Sequence, residues 1–422
     1  MTNDACHDAV SRFVDEHFAA ECSFLAELVK VPSDNPPGDC AAHARRAKEL
    51  LEGLGMEVEV DAVPEGDVRA NGMISAMNLI VRQRFGNGGP VIALNAHGDV
   101  VPPGEGWTHD PYGAEVIDET GKGATMFGRG IAVSKSDFAT YAFGLLALRA
   151  LVAAGTRLDG AVELHLTYDE EVGGEIGPRR LLERGLSKPD LAISAGFSYA
   201  VTTAHNGCLH LEVVVRGRQG HAAMPERGVD ALAAANQILT ALYASRDTLK
   251  SRTSKTPGIT HPTLNVGLIA GGINTNVVPD RVTFRIDRRI IPEESPAAAE
   301  AELRALIESA AAKCAGITIE IRRLLLSLPL VKLPGAERLT RVLQSRGEEF
   351  FGTAIAEHGV PIYTDARHYT TAGIPTVLYG AGPRTLAEAN GHAADEKLHL
   401  EDLRRATKTV AAALADLLAV ST

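Results

Sequence analysis

The sequence is poor in several features that mark specialised proteins. Aromatic residues make up 5% of its 422 positions, with a single Trp. Positive charge is in deficit: 42 Lys and Arg against 53 Asp and Glu leave a formal net charge of −11. Nucleic acid and anionic membranes both demand a basic footprint, so neither is expected as a partner. Cysteine is scarce and scattered, at Cys6, Cys22, Cys40, Cys208 and Cys314, with no CxxC pair. An odd number without motif spacing argues against a disulfide framework or a thiolate zinc site and for a reducing, cytoplasmic setting. The opening MTNDACHDAV lacks the basic and apolar regions of a signal peptide. No apolar run approaches the ~18 residues a membrane span needs.

What is present fits an α/β protein, enzyme or binding protein alike. With 45% hydrophobic and 23% charged residues the chain reads as globular, and at about 150 residues per domain it makes two or three folding units. Residues 8–30 and 41–55 read as helices. Strands follow at 56–60, 78–85 and 91–97, then a long polar loop at 100–130, a helix at 137–155, and strands at 162–169 and 191–196. This alternation predicts a mixed, mostly parallel sheet flanked by helices. From 208 to 324 the order becomes strand, helix, two strands, helix, strand, the βαββαβ of a ferredoxin-like sandwich. The α/β pattern then resumes, with a helix at 336–358, a strand at 375–380 and a helix at 400–418. The expected organisation is a catalytic domain in two pieces, 1–206 and 327–422, with an inserted domain at 207–326. Such a layout predicts a cleft at the domain junction.

In a parallel sheet, chemistry gathers at the carboxyl ends of the strands. Three segments meet that condition. NAHGD places His97 and Asp99 after a strand, a spacing in which one imidazole nitrogen can bind a metal while a carboxylate orients the other; its bland alternative is a polar surface turn. YDEEVGG ends a strand with Asp169, Glu170 and Glu171, which read alone as an acidic loop. NGHAADE carries His392, weak evidence by itself. Together they supply two histidines and a carboxylate, a set known from catalytic zinc sites.

These segments, taken with GRGIAVSKSD (128–137), GRQGHAAMPERGVDA (217–231), GGINTNVVPD (271–280) and IDRRIIPEE (286–294), resemble one family in order and across nearly the whole chain. It is the metallohydrolases that include acetylornithine deacetylase, succinyl-diaminopimelate desuccinylase, aminoacylase and glutamate carboxypeptidase. The resemblance implies a zinc-exopeptidase-like catalytic domain and a ferredoxin-like lid that pairs subunits into a homodimer or higher oligomer. It implies metal binding by His97, Glu171 and His392, with Asp99 orienting His97 and Glu170 taking a proton from the attacking water. His221 would stabilise developing negative charge, and Asn276 and Arg289 would grip the carboxylate of a small substrate. Read without the resemblance, Arg289 pairs with Asp287 on a sheet surface.

The chain departs from the family at two ligands. The motif G-x-G-x-x-D-x-K-G usually supplies an aspartate bridging two metals; here Lys135 keeps its place and the bridging position is Val133. Ala195 stands where a second carboxylate is expected. Asp137 is not expected to substitute. Two dications ~3.5–4 Å apart need bridging anions, so one divalent ion per subunit, zinc or manganese, is the expectation. The corresponding activity is hydrolysis of a non-protein C–N bond by an aminohydrolase of an aromatic amine such as 5-nitroanthranilate. Its alternatives are a two-metal N-acylamino-acid deacylase or exopeptidase, and a non-catalytic carboxylate-binding protein.

Overall fold

The computed structural model describes residues 3–119, 123–132 and 134–420. It comprises two compact units: Met1–Thr203 with Lys332–His358 and Thr364–Thr422, and Ala204–Val331 with Gly359–Tyr363. The divisions fall a few residues from those drawn at 206/207 and 326/327. They run through the strands Ala200–His205 and Ala356–Val360, neither of which the sequence pattern disclosed. Gly359–Tyr363, expected in the first unit, belongs to the second because its backbone is taken up there: Gly359 N–H donates to Pro257 O (2.7 Å) and Asn206 N–H to Val360 O (3.2 Å).

The first unit is built on an eight-stranded mixed sheet. Its four central strands, Ala161–Thr167, Val91–His97, Leu191–Ser194 and Thr376–Leu378, are neighbours in that order and parallel. On one side Met77–Arg84 and Val58–Ala62 add antiparallel strands, and on the other Ala200–His205 runs antiparallel to Thr376–Leu378. Parallel order is thus confined to the centre. Val91–His97 and Ala161–Thr167 are buried almost throughout, as strands covered on both faces must be. The helices Asn3–Val29, Lys135–Ala153, Ala336–Phe351 and Leu400–Leu417 pack together against the sheet.

Three local expectations need correction. Lys135–Ala153 is 19 residues long and apolar enough to match a membrane span by length and composition. Polar residues interrupt its apolar runs, which hid it from a search for runs. It is buried on nearly all sides, as a core helix is. The polar stretch 100–130 is not one loop: it contains the antiparallel pair Val116–Glu119 and Gly123–Phe127, joined by Lys397–His399. The helix expected over 336–358 ends at Phe351, where Gly352 takes a left-handed conformation (φ +66°) that glycine adopts without strain.

The second unit has a four-stranded antiparallel sheet in the order Thr263–Gly271, Arg281–Ile290, Gly207–Arg216, Thr318–Ser327. The helices Ala231–Leu249 and Pro296–Ala311 complete the ferredoxin-like order. Asp230 and Ser295 cap them through side-chain oxygens that accept backbone N–H groups, each worth about 1 kcal/mol. Leu209, Leu211, Val213 and Val215 point into the core with Ile238, Phe284 and Ile307. By the two-residue period of a strand, Cys208, His210 and Glu212 lie on the other face.

Candidate metal centre

His97, Asp99, Glu170, Glu171 and His392 come together at the carboxyl end of the central parallel strands. Val91–His97 and Ala161–Thr167 are paired so that His97 lies opposite Thr167, which puts the carboxylates that follow Thr167 beside the imidazole. His97 Nδ1 donates to Asp99 O at 2.9 Å, so Nε2 faces Glu170 Oε2, 4.0 Å away. The backbone N–H of His97 donates to Ser134 Oγ at 2.7 Å. Ser134 itself holds a left-handed conformation at φ +81°.

Asp99 contacts His97 Nδ1 mainly through its backbone carbonyl. Its carboxylate stands 3.5 Å from His97 Nδ1, longer than its carbonyl contact. Oδ1 and Oδ2 instead accept the backbone N–H groups of Glu170 (3.2 Å) and Glu171 (3.1 Å), and Oδ2 also accepts from Asn35 Nδ2 (3.0 Å). Asp99 therefore fixes the turn that carries both glutamates. Glu171 Oε1 lies 3.8 Å from His392 Nε2.

His392 is exposed, yet its loop is well held. Asn390, His392 and Asp395 all have φ between 54° and 62°. Asp395 accepts from Thr108 N–H (2.8 Å) and His109 N–H (3.1 Å), and buried Glu396 pairs with Arg129 at 2.6 Å and accepts Ala132 N–H at 3.0 Å.

The electrostatics call for a cation. Burial, then Glu170 and Asp99, push Glu171 well above the usual carboxylate range, and burial raises Glu170 as well. Burial works against charge on His97, yet the surrounding carboxylates carry its pKa well above the ordinary value. Partial desolvation, with the charges of Arg129 and His97, keeps His392 low and neutral. His97, Glu170 and Glu171 offer donor atoms within 4.8 Å of one another. Imidazole and carboxylate donors around uncompensated negative charge fit a divalent transition metal.

Several neighbours escaped the sequence reading. Asp365 is buried against Thr167 Oγ1 (3.4 Å), and burial followed by Glu170 lifts its pKa to about 8. Arg367 and His368 both donate to Gly173 O, the latter at 3.0 Å. Gly174 is left-handed at φ +67°, and a Cβ there would lie 2.2 Å from Asp365 Oδ1; the loop after Glu171 can pack this closely only as glycine. The one signal in sequence was a charged pair, Asp365 and Arg367, at the start of a short helix.

At the positions that depart from the family, Val133 lies outside the described residues. Ala195 follows Leu191–Ser194, its N–H donating to Asn95 O at 2.7 Å, and its methyl brings no donor atom. Asp137 is buried and accepts Ala381 N–H at 2.8 Å. Gly380 presses so closely that a Cβ would overlap the Asp137 carboxylate. Asp137 is thus committed to the end of a neighbouring strand and, as expected, does not join the cluster.

The remaining candidates lie in the second unit. His221 Nδ1 accepts Ala223 N–H at 3.0 Å, which places the ring proton on Nε2. Ala222 N–H donates to Asn276 O (3.0 Å), so the His221 and Asn276 loops adjoin. Arg289 forks onto Asp287, with Nε to Oδ1 at 3.0 Å and Nη2 to Oδ2 at 3.2 Å, the pairing that sequence without the resemblance favoured.

Fold and donor set define a metal-dependent hydrolase. The chain belongs to peptidase family M20/M25/M40, whose model matches residues 93–416. It is thus a hydrolase of carbon–nitrogen bonds in a family of divalent-metal enzymes. Acetylornithine deacetylase of Myxococcus xanthus is 28% identical over 346 residues, covering 81% of this chain and 84% of that one. Succinyl-diaminopimelate desuccinylase of Gluconacetobacter diazotrophicus is 29% identical over 62% of this chain and 65% of its own length. The fold is shared with the dipeptidase Dug1p of Saccharomyces cerevisiae (TM-score 0.78, 14% identity, 99% of both chains). It is shared equally with an M20 metallo-carboxypeptidase of Sulfolobus solfataricus (TM-score 0.73, 18% identity, 94% of this chain and 98% of that one).

Proposed function

We propose that the protein hydrolyses the amide bond of an N-acylamino acid or a short peptide with one tightly held zinc or manganese ion. The observation that carries this reading is the cluster His97, Glu170 and Glu171, with His392 standing 3.8 Å from Glu171, in a chain whose curated relatives are a deacetylase and a desuccinylase. The comparisons favour this deacylase or exopeptidase reading over the aminohydrolase of 5-nitroanthranilate expected from sequence.

A divalent ion held by His97, Glu171 and His392 would supply Lewis acidity to the scissile carbonyl and ease ionisation of water. Glu170, buried and carrying no forked ion pair, takes the proton from the attacking water and returns it to the leaving nitrogen. Asn276 and Arg289 bind the substrate carboxylate, and His221, protonated at Nε2, meets the developing oxyanion. A single ion is supported by Val133 and Ala195, which leave a second ion without anionic ligands. We also infer that the second unit forms a homodimer through its unpaired edge.

The test is turnover by metal-loaded protein of N-acetyl- and N-succinylamino acids, dipeptides and aminobenzoates. Release of free amino acid from the first two groups is expected. Turnover of aminobenzoates alone would replace this reading with the aminohydrolase one.

A further inference from the structure

The second unit carries a cluster that the hydrolytic chemistry does not use. Cys208 and His210 are two residues apart on Gly207–Arg216 and so share a face. On the adjacent strand Arg281–Ile290, Arg289 lies opposite Cys208 and Asp287 opposite His210. Cys208 Sγ is 3.2 Å from His210 Nε2, and that same nitrogen is 3.1 Å from Asp287 Oδ2.

One imidazole nitrogen is shared between the sulfur and the carboxylate. If Nε2 carries its proton toward Asp287, it cannot accept from the thiol. If it is bare, it accepts from the thiol but meets the carboxylate lone pair to lone pair. An electrophile at the point of convergence satisfies sulfur, nitrogen and oxygen together. Zinc bonds of about 2.3 Å to sulfur and 2.0 Å to nitrogen or oxygen place tetrahedral donor atoms roughly 3.3–3.5 Å apart. The sulfur–nitrogen and nitrogen–oxygen distances are within a few tenths of an ångström of that spacing, and all three donor atoms lie within 4.8 Å of one another.

We propose that Cys208, His210 and Asp287 form a second metal site, for a zinc-like dication, distinct in its ligands from the His97–Glu171–His392 set. Thiolate with imidazole selects soft or borderline ions over magnesium and calcium. On binding, the Cys208 thiol releases its proton to solvent and the sulfur lone pair forms the metal bond. The Asp287 carboxylate accepts from Arg289 and supplies the oxygen donor. Cys208 is buried, while the His210 and Asp287 side chains are 35% and 29% exposed. An ion therefore has access from solvent, and a water can complete the fourth position. Arg289 Nε and Nη2 donate to Asp287 Oδ1 and Oδ2 and hold the carboxylate in place, and Oδ2 has a second lone pair for the ion. Spacing rules miss such a site because Asp287 follows His210 by 77 residues.

The test is titration of metal-free full-length protein with Co2+, read by the thiolate-to-cobalt charge-transfer band in the near ultraviolet. The donors of the hydrolytic centre include no thiol, so its occupancy leaves this band silent. The wild type is expected to develop the band, Cys208→Ser to lack it, and His210→Gln to require at least about 100-fold more cobalt. No band in the wild type, or a band that persists in Cys208→Ser, would overturn the proposal; the wild-type titration decides even where a variant fails to fold.

Discussion

The Asp99 carboxylate accepts the backbone N–H of Glu171 at 3.1 Å and, through its other oxygen, that of Glu170 at 3.2 Å. One buried side chain thus sets the position of two functional glutamates through their backbones. Asp99→Asn turns an NH2 toward one of these donors and leaves it unpaired. Metal affinity at the hydrolytic centre should fall about 10–100-fold, with a stability loss of about 1–3 kcal/mol. Calorimetric metal titration and denaturant unfolding measure the two; an unchanged affinity would show that the turn holds itself.

Glu170→Gln keeps the size of the side chain but removes its basicity. Metal content should stay the same while kcat falls about 10²–10⁴-fold. Parallel elemental analysis and initial rates on an N-acylamino acid separate the two quantities. Full activity in this variant would assign the base to another residue.

Arg289→Ala should raise KM for carboxylate substrates about 10–100-fold, the worth of a charge-assisted contact, with a smaller effect on kcat. The matching control is a substrate amide lacking the carboxylate, which should be insensitive to the change. Equal loss for both would place the clamp elsewhere.

Glu21 makes a pH prediction. It is fully buried beneath Leu400–Leu417, where Thr407 donates to Oε1. Burial is the main cause that pushes its pKa up to about 8 from an ordinary 4.5. Between those values the unfolded chain has lost this proton and the folded chain keeps it. Glu21 therefore costs stability as pH rises from about 4.5 to 8, by up to about 1.4 kcal/mol per pH unit. Glu21→Gln should flatten this fall, seen as a higher Tm than wild type at pH 8 and a smaller difference at pH 5. Parallel Tm curves would remove Glu21 from the balance.

The edge strand Thr263–Gly271 leaves Leu268 and Ile269 60% and 55% exposed. Unpaired backbone beside apolar side chains invites pairing with a second copy. Light scattering should report a dimer for the wild type and a monomer for Ile269→Lys. A monomeric wild type would contradict the inferred homodimer.

Much of this molecule is legible in the sequence because its period is plain. The apolar strands at 91–97 and 161–167 and the βαββαβ succession after 207 carry their own signatures. The clustering of His97, Glu170 and Glu171 was legible because strand ends and motif order mark these segments together. Long-range backbone satisfaction was not. Asp99 reaching Glu170 and Glu171, Ser134 holding His97, and Arg367 with His368 seizing Gly173 O all join segments far apart in the chain. Ala356–Val360 was missed because AEHGV carries no apolar alternation, and the pair at 116–127 because it sits in a polar stretch.

The hydrolytic centre is proposed to work with a single ion. Electron paramagnetic resonance of protein loaded with Mn2+, an ion that thiolate ligands disfavour, tests this directly. The expected result is the hyperfine pattern of isolated manganese together with turnover of N-acylamino acids. The spectrum of an exchange-coupled manganese pair in the active protein would contradict it.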